Sequence, residues 1–171
     1  MYSKLDELNK TLILFKNKRK HGDYEHAYSP CLSDYHYLKR IQFLMSEIYN
    51  CKVWYGGSLS LFLQKKTDKF GDLDIITNKI FKKEDLAWEV NNETDFSYQT
   101  WDFDLDIFFK EKTNQKIVDF FNNNTVKVNN IFVQDWKIVN AINWYWRETP
   151  KKRQFTEPDN KLKKQITEIF S

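Results

Sequence analysis

Apolar residues open the chain at helical spacing, with Leu5, Leu8, Leu12 and Phe15 recurring every three or four positions. The preceding Ser3-Lys4-Leu5-Asp6 has the form of a capping box, so the pattern predicts a first helix. Residues 21–32, with Gly22 and Pro30, read as a loop. Ser33 or Asp34 is the expected cap of a second helix, whose stripe Tyr37, Ile41, Leu44, Met45 and Ile48 ends near Asn50.

Beyond Asn50 the period changes. Lys52-Val53-Trp54-Tyr55 reads as a short strand stopped by Gly56-Gly57, and Ser58 is placed to cap a helix carrying Leu59, Phe62 and Leu63. Phe70-Gly71 breaks the chain before a strand over 72–77, which is entered at its acidic end. A helix is expected over 82–90, with Leu86, Ala87 and Val90 inward. Residues 101–109 alternate with period two, placing Asp102, Asp104 and Asp106 on one face and Phe103, Leu105 and Ile107 on the other. Thr113 starts a helix through Ile117, Val118 and Phe121, and residues 126–133 form a hairpin turning at Asn129-Asn130. Asp135 caps a helix bearing Ile138, Val139, Ile142 and Tyr145, and Thr156 with Pro158 starts a last helix carrying Leu162, Ile166 and Ile169. Strands interleaved with helices predict an α/β (α+β) class: a small mixed sheet flanked by helices. Without an internal repeat or a long linker, the 171 residues read as one domain, with a core over about 35–133 and C-terminal helices over 135–170.

Composition narrows the classes. Hydrophobic residues at 41% and aromatic residues at 17% supply a real core and exclude a disordered chain. No apolar run approaches a membrane span, and the first residues lack the basic start and apolar stretch of a signal peptide, so a cytoplasmic protein without membrane contact is expected. Cys31 and Cys51 form no C-x-x-C, and His21, His26 and His36 match no zinc spacing, which argues against a disulfide framework or structural zinc. The net charge of +3 is unremarkable, yet residues 147–164 hold seven basic against three acidic side chains. That stretch, with Lys151-Lys152-Arg153 at its centre, could face phosphates or be the solvated side of a helix.

Two features carry candidate chemistry. Tyr55-Gly56-Gly57-Ser58 lies at a strand-to-helix junction, where glycine lets backbone approach a ligand and unpaired N–H groups face outward. Ser58 could cap the helix or donate to a phosphate oxygen. Asp72-Leu73-Asp74 then puts two carboxylates on one strand face, roughly 6.5–7 Å apart along the backbone. Like charges that close repel, and a divalent cation is their natural partner; oxygen-only ligands favour Mg2+ or Mn2+. A third carboxylate on a neighbouring strand would complete a two-metal site, with Asp106 the first candidate and Asp104 the alternative. A plain turn and a solvent-facing strand edge would account for either feature taken alone.

Gly56-Gly57-Ser58, then Asp72-x-Asp74, then Asp106 together resemble the DNA polymerase β-like nucleotidyltransferase superfamily over roughly residues 35–110. The resemblance implies a mixed sheet flanked by helices, with Asp72, Asp74 and Asp106 as metal-binding catalytic residues. It also implies that Gly56, Gly57, Ser58 and Lys69 meet the nucleotide. The implied activity is template-independent transfer of a nucleoside monophosphate from an NTP to a hydroxyl acceptor. The chain departs from the family pattern in having no arginine between Ser58 and Asp72, so Lys65, Lys66 or Lys69 would have to meet the triphosphate. The basic C-terminal stretch tilts the expected acceptor towards RNA, tRNA especially, with Trp144 and Trp146 as candidate stacking rings. Protein and antibiotic acceptors, an inactive binding protein of the same fold, and phosphodiester hydrolysis are the alternatives.

Overall fold

A computed structural model describes residues 3–21, 32–150 and 153–171. Most of the loop expected over 21–32, with His26 and Cys31, lies outside those residues, as do Lys151 and Lys152. Among the described residues the helices are α1 (Lys4–His21), α2 (Leu32–Tyr49), α3 (Gly57–Leu63), α4 (Gln115–Asn122), α5 (Trp136–Tyr145) and α6 (Asn160–Phe170). The strands are β1 (Val53–Tyr55), β2 (Leu73–Thr77), β3 (Asn92–Glu93), β4 (Ser97–Thr100), β5 (Leu105–Phe108), β6 (Thr125–Val128) and β7 (Ile131–Gln134). They form one seven-stranded mixed sheet in the order β3-β4-β5-β2-β1-β7-β6, parallel at β2/β5 and β1/β7 and antiparallel elsewhere. The expected mixed sheet with flanking helices is what the chain forms.

Alternation along the strands divides the core in two. Val53 and Tyr55, Leu73 and Ile75, Leu105 and Ile107, and Ile131 and Val133 pack with Leu8, Leu12 and Phe15 of α1 and Ile41, Leu44 and Met45 of α2. The Tyr55 hydroxyl, fully enclosed there, donates to the Leu38 carbonyl at 2.5 Å. On the opposite face Trp54 and Ile76 meet Ile117, Val118 and Phe121 of α4, with Ile169 and Phe170 of α6 alongside. Helix α5 joins that layer through Ile138 and Ala141, packed against Ile166.

Local signals set many boundaries. Ser3 and Asp6 exchange side-chain-to-backbone hydrogen bonds, completing the capping box of α1. Asn50 takes φ +49 as the chain leaves α2, and Asn129 and Asn130, at φ +49 and +65, form the tight β6–β7 turn. Asp135 and Asp159 accept from Lys137 N and Leu162 N to cap α5 and α6, so α6 starts later than Thr156 and Pro158 suggest. Helix α2 opens at Leu32, which puts Ser33 and Asp34 inside its first turn, and α4 is capped by Asn114 rather than Thr113.

Two expectations are corrected. Residues 82–90 do not form a helix; one 3-10 turn, Lys83–Asp85, is closed by the Asp85 carboxylate accepting from Lys82 N at 3.0 Å, and the chain extends at Leu86. The run 101–109 is not one strand, because residues 101–104 form a turn and β5 begins only at Leu105. No helix among the described residues is long and apolar enough to cross a membrane.

Candidate functional site

Strand register builds the site. Asp74 on β2 lies opposite Asp106 on β5, and Asp106 lies opposite Gln99 on β4. On the other side Gly56 continues the β1 ladder, its N–H donating to the Asp74 carbonyl at 2.9 Å, and the Tyr55–Val133 pairing brings Gln134 of β7 alongside Gly56. Gln99, Asp106, Asp74, Gly56 and Gln134 thus make a row across five strands. Their neighbours Leu73, Ile75, Leu105, Ile107 and Val133 point into the α1/α2 core, so pleating turns the row to the opposite face.

Gly57 fits this row for a steric reason. It has φ +56, and a Cβ at this position would lie 1.5 Å from Asp74 Oδ2. The glycine turn and the acidic strand therefore close on each other, and any side chain at position 57 would displace the carboxylate. Gly56 is nearly as confined, since a Cβ there would sit 2.8 Å from Ile76 Cγ1. Ser58 does not cap α3; its hydroxyl accepts from Gly71 N at 3.1 Å and ties the loop before β2 to the start of the helix.

Asp106 is held from the β4 side. Ser97 Oγ donates to Oδ1 at 2.5 Å and Gln99 Nε2 approaches Oδ2 at 3.4 Å. Asp74 is pushed well above the usual carboxylate range, first by burial, then by the charges of Asp106 and Asp72 and a hydrogen bond with Asp106. Arg153 opposes that shift from the segment before α6.

The alternatives for the third carboxylate part company here. Asp104 takes φ +54 in the turn, its carbonyl accepts from Leu73 N at 2.9 Å, and its carboxylate faces Lys16 of α1 at 3.8 Å. Lys16 also donates to the carbonyls of Trp101 and Asp102, at 3.1 and 2.8 Å. Alternation breaks at this turn, which leaves Asp106 beside Asp74 and sends Asp104 towards Lys16. Asp72 is exposed, one residue ahead of β2, and acts on Asp74 by charge. Lys66 lies over the Trp136 ring at 4.2 Å, while Lys65 and Lys69 are exposed. Trp144 is flanked by Arg147 and Lys163, and Trp146 packs on Tyr145 and Phe170, so both expected stacking rings already have packing partners. Burial pushes the Cys51 thiol up to about 11, which disfavours its thiolate.

Ser97, Gln99, Gln134 and Arg153 were not singled out as site residues from the sequence. The two glutamines enter only through register, and Gln134 Nε2 is buried without a hydrogen-bond partner. Arg153 belongs to the basic run that the sequence offers either for phosphates or as a solvated face. The donor set suits a hard cation, because Asp74 and Asp106 stand side by side and magnesium commonly uses one or two carboxylates plus water and phosphate oxygens. Among the described residues no three His, Cys, Asp or Glu side chains are gathered closely enough to hold a metal.

Comparisons with family models, curated proteins and solved structures find no match to this chain.

Proposed function

We propose that the protein is a magnesium- or manganese-dependent, template-independent nucleotidyltransferase, moving a nucleoside monophosphate from an NTP to a hydroxyl acceptor. The observation that carries this reading is the in-register Asp74–Asp106 pair lying against side-chain-free Gly57. Asp74 and Asp106, with Asp72 at the rim, would hold the divalent cation. When bound, the cation supplies charge neutralisation at the phosphate oxygens and acidifies an acceptor hydroxyl. Asp106, oriented by Ser97 and Gln99, would accept the hydroxyl's proton or aim its lone pair at the α-phosphorus. Gly56 and Gly57 let the turn pack directly on the acidic strand, and Ser58 and Lys69, on the helix start and the loop beyond it, would meet the nucleotide.

Incubation with each radiolabelled NTP, magnesium and separate RNA, protein and aminoglycoside acceptors tests the reading. Label should appear in one acceptor fraction, with RNA favoured by the basic 147–164 stretch. Asp74→Asn and Asp106→Asn should each lower transfer by at least about a hundredfold. Unaltered transfer by either variant would falsify the assignment. A binding protein of the same fold is the second reading. It expects no metal-dependent binding of ATP in calorimetry and no label transferred.

A further inference from the structure

We infer that Thr94 is a positioning residue for the candidate site, acting on Asp106 through Ser97 by fixing the direction of a two-hydroxyl chain. The inference rests on the metal-binding role that the transfer reading gives Asp106. Thr94 Oγ1 lies 2.6 Å from Ser97 Oγ, which in turn lies 2.5 Å from Asp106 Oδ1. A hydroxyl has one proton and two lone pairs. Thr94 Oγ1 accepts from Ser97 N at 3.0 Å and from Phe96 N at 3.3 Å, so both its lone pairs are engaged. Its proton therefore goes to Ser97 Oγ. Ser97 cannot give its own proton back, and donates it to Asp106 Oδ1. The polarity of the chain is thus set by the β3–β4 turn. That turn is itself tied down: Thr94 N donates to the Ser97 carbonyl at 3.0 Å, and Lys110 Nζ donates to the Thr94 carbonyl at 3.0 Å. Ser97 is fully buried whereas Thr94 is exposed, so the chain runs from the surface to the carboxylate. With Oδ1 held by a fixed donor, Oδ2, approached by Gln99 Nε2 at 3.4 Å, is the oxygen under the weaker hold. The carboxylate is held against rotation, and Oδ2 is the atom presented to an incoming cation. Groups that orient a ligating carboxylate govern metal affinity alongside the ligands themselves.

Calorimetry of the full chain with manganese alone tests this. Ser97→Ala should weaken manganese binding at least about tenfold. Thr94→Ser keeps the hydroxyl and should bind as the wild type does. Thr94→Asn offers the Phe96 and Ser97 N–H groups a side-chain oxygen, but that oxygen has no proton for Ser97; binding should weaken about fivefold. Thr94→Val should weaken it by a similar factor, and where that variant does not fold, Thr94→Asn decides. Wild-type affinity in Thr94→Asn overturns the inference and leaves the transfer reading standing, because Asp74 and Asp106 are untouched. A Thr94→Ser variant as weak as Thr94→Asn overturns it too, since the turn and not the hydroxyl would then be responsible. If the wild-type protein binds no manganese the inference falls, and the label-transfer assay judges the enzymatic reading by itself.

Discussion

The two faces of the β2/β5 pair obey different rules. On the α1/α2 face Leu73, Ile75, Leu105 and Ile107 are at most 2% exposed and form a continuous apolar layer. On the other face the same strands carry Ile76 and Phe108 towards α4 and α6, yet Asp74 and Asp106 at their second residues. The helices of that second layer pack on Ile76 and Phe108, while the acidic residues lie against the glycine turn. A site on this sheet is therefore made by interrupting one apolar layer while the other stays whole. The continuous apolar layer lies on the first face and the candidate site on the second.

Substitutions can break this division or sharpen it. Ile75→Ala, at a position with no exposure, should lower unfolding free energy by about 2–5 kcal/mol in chemical denaturation, while magnesium–nucleotide affinity of the folded fraction stays unchanged. Gly57→Ala strains the backbone at φ +56 and drives a methyl into Asp74; a loss of roughly 1–3 kcal/mol is expected, together with loss of metal-dependent binding. Asp74→Asn should have the opposite sign. In the folded protein Asp74 holds its proton more tightly than an ordinary carboxyl, so wild-type stability is lost as pH rises from about 4 towards the elevated folded value. The asparagine variant escapes that loss, and its Tm in metal-free buffer should exceed wild type by a margin that widens with pH and closes near pH 4. Added magnesium should raise the wild-type Tm and leave the variant unmoved. Asp104→Asn should do least: it removes a partly exposed pair with Lys16, worth under about 1 kcal/mol, and asparagine tolerates φ +54. Transfer unaffected by Asp104→Asn but abolished by Asp106→Asn would draw the boundary between the faces at a single turn.

Much of this was legible in the sequence wherever a local rule decides the outcome. The Ser3/Asp6 box, the Asn129-Asn130 turn, the Asp135 cap and the alternation of β2 each depend on neighbours within a few residues. The apolar stripes of α1 and α2 were readable for the same reason. Legibility failed where tertiary contacts outweigh a local pattern. Residues 101–104 carry a strand-like alternation, but Lys16 from α1 gathers three of their oxygens and favours a turn. Ser58 has the chemistry of a cap, but Gly71 N claims its hydroxyl. The stretch 82–90 has helical spacing of Leu86 and Val90, yet the Tyr49 hydroxyl accepts from Ala87 N and Trp88 Nε1 donates to Asn9, which hold it open against the core. At the candidate site the acids and glycines announced themselves, since few residue types serve those purposes. Their supporting glutamines did not, because nothing in the order of the chain says that β4 and β7 come into one row with β2.

The five-strand row has a consequence for how the molecule comes together. Because every member is placed by pairing, sliding β5 by one position would bring Leu105 or Ile107 into the row and drive Asp106 in among the side chains beneath α1 and α2. Burying an unpaired carboxylate in that layer would be heavily penalised. The aspartate thus proofreads the sheet: a wrongly aligned strand is rejected by the same charge that the finished molecule would put to use.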